Sequence, residues 1–340
     1  MTEKNITPVN HFPAADGIRG LAVMIVMFAH ALVMFLPATR PFLGGTGKIG
    51  VWLFFVLSSF LLTNKFIKNG LTRKSLLEYS IGRFFRIIPI FILACLFYYS
   101  AGYFDIYDLA KIATFQQGYG HLWTIPVEFK FYFILPFFIL ILTPVHKRHG
   151  LLPVIVLAII AIIVLREFFP PSRTPDNSIY THWYIPSFLV GIIASYMAQN
   201  ISGGKRRNGL KISICFFGVA VIIPAVSYFL FGRVIIGGLP SSFLSLSIVW
   251  GCLILLAVRD CGIYSNFFSS SAMRNIGNKS FSIYLFHWFF LTEMSKLYPN
   301  NALAMAASIL MSTLAGWLIF ALIEKPIENY RHRLQKSLIR

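Results

Sequence analysis

Long apolar stretches recur along the whole chain, and this repetition constrains the fold more than any other feature. A helix needs about 20 predominantly apolar residues to cross the hydrocarbon core of a bilayer. Only 12% of the 340 residues are charged, whereas soluble domains carry roughly 25%. The sequence therefore predicts an all-α, polytopic membrane protein with about ten transmembrane helices. The ten stretches lie at 17–37, 47–64, 82–100, 123–143, 151–169, 183–199, 210–231, 236–258, 279–297 and 302–323.

The distribution of basic residues predicts the orientation of these helices. Lys and Arg in alternate loops number 21 on one side of the membrane and 7 on the other. Cytoplasmic loops carry the excess of Lys and Arg in membrane proteins. Both termini are therefore predicted to be cytoplasmic, and the net charge of +18 needs no nucleic-acid partner.

The chain is predicted to form one membrane domain over residues 1–340, with helices roughly over 17–323 and no soluble extra domain. Prolines and glycines separate the apolar stretches, and no internal repeat is visible. The first stretch is longer than a signal-peptide core and lacks a cleavage site, so it is retained as the first helix.

Two ionisable residues in the first helix are candidates for function. A charge near the bilayer centre costs roughly 2.5 to 3.5 kcal/mol, so it is expected to face the protein interior. Arg19 and His30 lie within about 20° of each other on one helix face, separated by about 16 Å. His30 is expected in the outer half of the membrane. The alternatives are a snorkelling arginine and an ordinary buried histidine.

Glu128, in the segment HLWTIPVEFKFYFILP, is expected at the same depth as His30, about 8 Å below the outer surface. A carboxylate beside an imidazole fixes its tautomer and raises its basicity, as general-base catalysis on a hydroxyl requires. We therefore predict His30 and Glu128 as catalytic residues. In the alternative interpretation, Thr124 caps this helix and Glu128 only stabilises its positive end.

Further residues are predicted around these two. Asp16, Trp123 and His287 are expected to support the cavity, although His287 is equally explained as a packing contact. Arg83 and Arg86 are neighbours on one helix face and form a possible cluster with Arg19 that suits phosphate groups. The alternative for both is ordinary flanking charge. No Gly-rich phosphate loop, HExxH, GxSxG or metal-ligand spacing occurs, so we expect no metal.

Several segments taken together resemble the acyltransferase 3 family of integral membrane acyltransferases, which includes O-acetyltransferases of bacterial surface polysaccharides. The first segment, ADGIRGLAVMIVMFAH, resembles the first-helix signature of that family through Arg19 and His30. Gly82 stands where many members have another arginine. The other matching segments are GVWLFFVLSSFLLT, RFFRIIP, HLWTIPVEFKFY, SFSIYLFHW and the terminal pattern of Glu324 and Pro326.

The resemblance implies transfer of an acyl group, usually acetyl, from acyl-CoA on the cytoplasmic side to a hydroxyl of a cell-surface saccharide or its lipid-linked precursor. His30 would be the catalytic residue and Arg19 its essential partner, with Arg83 and Arg86 beside the donor. Acyl-CoA would be a substrate rather than a bound cofactor, and the location would be the bacterial cytoplasmic membrane. The alternatives are a transporter or flippase of a saccharide or lipid, since intramembrane His and Glu also mark proton-coupled pathways, and a catalytically idle partner of a synthase.

Overall fold

The computed structural model describes residues 12–200, 239–258 and 262–338, and these residues contain no strand. The predicted all-α class is confirmed. The helices are α1 (Pro13–Phe35), α2 (Arg40–Leu43), α3 (Gly47–Asn69), α4 (Arg73–Ser100), α5 (Ile106–Ala113), α6 (Thr124–His149), α7 (Leu151–Phe168), α8 (Ile185–Asn200), α9 (Leu239–Val258), α10 (Ile263–Ser269), α11 (Ser271–Asn278), α12 (Ser280–Leu297), α13 (Ala302–Ile319) and α14 (Lys325–Leu338).

The predicted apolar stretches correspond to long helices, except that the stretch 210–231 lies outside the described residues. Within the described ranges, six helical segments are long and apolar enough to cross a membrane, or seven if α9 and α10 form one bent span. The count of about ten and the cytoplasmic termini stay predictions. The six segments are Pro13–Phe35, Gly47–Asn69, Arg73–Ser100, Gly120–His149, Leu151–Phe168 and Ala302–Leu338.

Helix α4 begins nine residues before the predicted stretch because its first turn is capped. The Thr72 hydroxyl accepts a hydrogen bond from the Ser75 backbone N–H at 3.1 Å, and the Ser75 hydroxyl accepts one from the Thr72 N–H at 2.8 Å. This reciprocal capping box satisfies two otherwise unpaired donors at a helix start. The helix is consequently 28 residues long, and its charged first turns precede the apolar part.

The bundle has an interior group of helices and a lipid-like exterior. Helix α1 packs against α3, α11 and α12, and α3 packs against α8. Helices α7 and α13 lie outside this group and expose large apolar side chains, such as Leu152 at 71% and Leu303 at 83%. Exposed apolar surface on this scale is typical of a protein surrounded by lipid.

The close contact between α3 and α8 depends on Gly191. A Cβ atom at this position would lie 2.0 Å from Ser59 Oγ and 2.1 Å from the Val56 backbone oxygen. Small residues allow helix backbones to approach closely in membrane proteins, where packing rather than hydrophobicity holds helices together. At the end of the same helix pair, Gln199 Nε2 donates to Asn64 Oδ1 at 2.7 Å.

The alternating directions of the long helices define two ends of the bundle. The Arg19 end contains the start of α1, the end of α3, the start of α4 and the end of α6. The His30 end contains the end of α1, the start of α3, the end of α4 and the start of α6. The predicted site residues are distributed between these two ends.

Candidate active site

Three arginines line one cavity, which we call the arginine cavity. Arg19 comes from α1, and Arg83 and Arg86 come from α4. Glu128 of α6 and Tyr284 of α12 also lie in the cavity wall. The clustering expected from the sequence is therefore present, and the donor-binding role of these arginines stays a prediction.

Arg86 is held by a buried carboxylate from the far end of the chain. Glu324 ends a π-helical turn, Phe320–Glu324, that lies between α13 and α14. Its side chain is 3% exposed, forms an ion pair with Arg86, and accepts a hydrogen bond from Ser282 Oγ at 2.5 Å. Isolated π turns often occur at functional sites. Here the turn directs a carboxylate into the bundle, where it neutralises one of the three arginines.

The other two arginines have weaker partners. Arg19 Nη1 lies 3.6 Å from Asp16 Oδ1. The Arg83 guanidinium lies over the Tyr132 ring, 5.6 Å from the ring centre, and forms no ion pair with any described residue. Arg83 is therefore the cation in this cavity with the most charge available to an added anion.

The predicted pairing of Glu128 with His30 is wrong. Glu128 Oε1 accepts hydrogen bonds from Ser58 Oγ and Tyr132 OH, each at 2.6 Å, in the wall of the arginine cavity. The sequence placed Glu128 too close to the surface, because the 3₁₀ turn Gly120–Trp123 before α6 is already largely buried. Glu128 therefore lies deeper, level with Ser58 in the middle of α3.

His30 contacts another histidine instead of a carboxylate. His287 Nδ1 lies 2.6 Å from the Tyr284 backbone oxygen and must carry the proton, since a carbonyl oxygen only accepts hydrogen bonds. With neutral rings, His287 Nε2 then accepts, and His30 Nδ1, 3.0 Å away, donates. We therefore assign His30 the tautomer with an unprotonated Nε2, the form that a general base requires.

The free nitrogen of His30 faces a second cavity, which we call the histidine cavity. A Cβ atom at Gly47 would lie 3.0 Å from His30 Nε2, so the absence of a side chain at this position keeps the nitrogen accessible. The predicted supporting residue Trp123 lies in the wall of this cavity, as does Trp288, whose ring meets His30 edge to face at 4.9 Å between centres. The cavity opens to the protein exterior, and its empty space together with the open solvent at its mouth is about 1540 Å³.

Sequence reasoning missed His121, which lines this cavity together with His30. It is 3% exposed, stacks on Trp288, and lies 5.1 Å from His287 between ring centres. His121 Nε2 donates to the Leu285 backbone oxygen at 2.9 Å, and Nδ1 has no hydrogen-bond partner among the described residues. The sequence feature that could have indicated His121 is its position in the segment HLWTIPVEF, seven residues before Glu128.

Asp16, the remaining predicted supporting residue, lies at the opposite end from His30. It lines a third cavity, which we call the lysine cavity, together with Arg19, Lys65 and Lys68. The structure thus brings His30, Trp123 and His287 together at one end, and Asp16 with the three arginines at the other. Glu128 lies between the two groups.

The three cavities follow one another along the bundle. The lysine and arginine cavities share Arg19, and the arginine and histidine cavities share Val51 and Tyr284. Tyr284 OH donates to the His121 backbone oxygen at 2.6 Å and lies 2.9 Å from Thr124 Oγ1. These two bonds hold the ring at the boundary between the arginine and histidine cavities.

Lys130, two residues after Glu128, makes contacts outside the cavities. Its Nζ donates to the backbone oxygens of Phe115 at 3.3 Å and Ile179 at 3.4 Å. It also lies 5.9 Å from the centre of the Tyr180 ring. Lys130 therefore joins α6 to two loops rather than lining the cavities.

Gly82 leaves room for a cation from the last helix. Arg331 Nη1 of α14 lies 3.7 Å from the position of a Cβ atom at Gly82, and Arg331 pairs with Glu328 at 3.1 Å. Arg331 and Arg86 line the same small pocket. A cation from α14 therefore lies beside the position where the resembling family often has an arginine.

Among residues 12–200, 239–258 and 262–338, no group of three or more His, Cys, Asp or Glu side chains is placed to hold a metal ion. The His30–His287 contact is a hydrogen bond between stacked rings whose planes differ by 6°.

These features define a class of protein: a multi-helix membrane protein whose interior connects a cluster of arginines at one end to an oriented imidazole at the other. A family model described as an acyltransferase domain matches residues 12–322. The chain belongs to the acyltransferase 3 family, in agreement with the resemblance seen in its motifs.

Two relatives illustrate the similarity. O-acetyltransferase OatA of Staphylococcus aureus (strain NCTC 8325 / PS 47) is 23% identical over 366 residues, covering 96% of this chain and 58% of the relative. Peptidoglycan O-acetyltransferase OatA of Listeria monocytogenes is 25% identical over 368 residues, covering 94% of this chain and 56% of the relative. The chain thus spans less than three fifths of the length of these relatives. No solved structure matches it.

Proposed function

We propose that this chain is a membrane O-acetyltransferase that moves an acetyl group from acetyl-CoA to a hydroxyl of a saccharide on the opposite side of the membrane. The observation that carries the proposal is the line of cavities from the arginines to the free nitrogen of His30. Family membership and the names of the two relatives support the reaction class.

The donor enters at the Arg19 end, which the charge asymmetry places in the cytoplasm. The phosphates of CoA meet Lys65 and Lys68 in the lysine cavity, and then Arg19 and Arg83. The uncharged pantetheine arm extends toward Val51 at the boundary with the histidine cavity. The separation of Arg19 and His30 along α1 is about 16 Å, a distance suited to an extended pantetheine arm.

The acceptor hydroxyl binds in the histidine cavity, and His30 acts as the general base. Nε2 takes the hydroxyl proton while the acceptor oxygen forms a bond to the thioester carbon, and the C–S bond then breaks to release CoA thiolate. The imidazolium returns its proton to the thiolate, so the enzyme is regenerated. Before the reaction, the hydrogen bond to His287 keeps the proton of His30 on Nδ1, so Nε2 is free to act as the base.

Membership of a family with bacterial relatives supports placement in a bacterial cytoplasmic membrane. The acceptor is then a cell-surface saccharide or its lipid-linked precursor. Its hydroxyl reaches His30 from outside the cell, whereas acetyl-CoA is available only inside. The enclosed path between the two cavities keeps the acetyl group away from lipid and bulk water during transfer.

The test uses the purified protein in detergent with radiolabelled acetyl-CoA and saccharide acceptors. His30→Ala is expected to lower CoA release by a factor of about 10² to 10⁴, with acetyl-CoA binding retained. His149→Ala, which changes an exposed histidine at the end of α6, is the matched control. A His30→Ala protein that turns over normally would refute the base assignment. Absence of CoA release by the wild-type protein, with saccharides or water, would favour a transporter.

A further inference from the structure

A groove lies beside the histidine cavity at the same end of the bundle, and we call it the side groove. The two share Met34 and Trp288 in their walls. Trp288 is the residue that also contacts His30 and stacks on His121. The histidine cavity and the side groove are therefore neighbours on either side of Trp288.

The side groove combines aromatic faces with hydrogen-bonding groups. Tyr103, Tyr119 and Phe289 supply aromatic surface, and Glu293 and Lys296 supply charge. The C–H faces of a sugar ring are weakly positive and apolar, so they stack on the negative faces of aromatic rings, while the hydroxyls at the ring edge need polar partners. This mixture of groups suits a carbohydrate better than a lipid chain.

The polar groups of the groove are preorganised. Tyr103 OH donates to Glu293 Oε1 at 2.6 Å, and Lys296 Nζ donates to the same oxygen at 2.8 Å. Both bonds end on Oε1, so Oε2 is open to accept from a hydroxyl of a ligand. Burial, together with the bond to Glu293, raises the pKa of Tyr103, so its hydroxyl stays protonated and keeps the carboxylate in place.

We propose that the side groove binds the sugar next to the one that is acetylated, so that the acceptor is an oligosaccharide or polysaccharide of at least two sugars. One sugar presents its hydroxyl to His30 in the histidine cavity, and its neighbour stacks against Tyr119 in the side groove. Trp288 lies at the junction of the two sugars. This proposal rests on the proposed function, since it assigns a second binding site for the same acceptor.

The experiment measures acetylation as a function of acceptor length. The probes are alkali-treated fragments of one, two and four sugars from the surface polysaccharide of the source cells, since alkali removes existing esters. The wild-type protein is expected to show a kcat/KM at least tenfold higher for two sugars than for one. Tyr119→Ala should remove most of this difference, about tenfold, and leave the rate with one sugar and the hydrolysis of acetyl-CoA unchanged.

Tyr107→Ala is the matched control, because Tyr107 lies at the same end and is 75% exposed outside the groove. Equal wild-type rates with one and four sugars would overturn the proposal, as would a Tyr119→Ala protein that keeps the full preference for two sugars or loses activity equally on every acceptor. If the proposed function itself is wrong, the result is different, because no CoA release that depends on His30 is then observed under any condition. Hydrolysis of acetyl-CoA without acetylation of any fragment would reject the saccharide assignment and this proposal with it.

Discussion

His287 is expected to control the rate through the tautomer of His30 and not through contact with substrate. In His287→Leu, His30 loses the acceptor of its Nδ1 proton, so Nε2 can carry the proton instead and the base is lost. We expect kcat to fall at least tenfold with the KM for acetyl-CoA unchanged. His287→Gln offers a side-chain oxygen as acceptor and should recover part of the rate. Equal activity of the two variants at equal thermal stability would contradict this role.

Neutralising Arg83 is expected to weaken acetyl-CoA binding, whereas neutralising Arg86 is expected to destabilise the protein. Arg83→Ala removes a cation that has no carboxylate partner among the described residues. It should raise the apparent dissociation constant of acetyl-CoA about tenfold or more, since a charge-assisted hydrogen bond contributes about 1.5 to 3 kcal/mol. Arg86→Ala leaves Glu324 buried without its partner, a change that typically destabilises a protein by about 3 to 5 kcal/mol.

Donor binding and thermal unfolding measured on the same preparations separate these two effects. Arg148→Ala is the control, because Arg148 is an exposed arginine at the Arg19 end. If Arg83→Ala changes membrane insertion and leaves the affinity for acetyl-CoA as it was, Arg83 is only a flanking charge.

The arginine cluster was predictable from the sequence, whereas the partners within the site were not. Arg83 and Arg86 are three residues apart on one helix, and the alternation of spans brings Arg19 to the same end. The bonds of His30 to His287 and of Arg86 to Glu324 join residues 257 and 238 positions apart. Such pairs depend on which helices pack side by side, and the hydropathy of the sequence does not predict helix neighbours.

At the scale of helices, apolar stretches located most spans because lipid requires a long apolar run. They did not locate short buried turns. The turn Gly120–Trp123 is buried but is not itself long enough to span, and it moved Glu128 away from the expected depth. Helix ends were also missed where side chains determine them, as Thr72 does for α4.

The contact between α3 and α8 gives a prediction at this scale. Gly191→Ala introduces a Cβ atom against backbone and a buried hydroxyl, and overpacking of this kind typically costs about 1 to 3 kcal/mol. The thermal midpoint in detergent should fall by several degrees. Gly82→Ala is the matched control, since its Cβ atom would have no neighbour closer than 3.6 Å. An unchanged midpoint for Gly191→Ala would mean that α3 and α8 are not packed this closely.

At the scale of the whole molecule, the proposed reaction requires a passage between the arginine and histidine cavities at their shared wall of Val51 and Tyr284. Both residues are 5% exposed and line the arginine and histidine cavities. In the proposed function, the arginine cavity holds the donor, the histidine cavity holds the acceptor, and the acetyl group passes this boundary. Blocking the boundary should stop transfer even though the arginines and His30 are both unchanged.

Val51→Phe is the substitution that tests this coupling, because the larger side chain adds bulk at the wall shared by the arginine and histidine cavities. The protein is placed in sealed vesicles, with acetyl-CoA on the Arg19 side and the saccharide on the His30 side. The wild-type protein should acetylate the saccharide across the membrane. Val51→Phe should still bind acetyl-CoA, because the phosphates meet residues away from Val51, and this binding also shows that the variant folds. It should lose at least nine tenths of the transfer rate. Val51→Ala keeps the passage open and should transfer normally. If Val51→Phe transfers at the wild-type rate, the acetyl group crosses the membrane by another route.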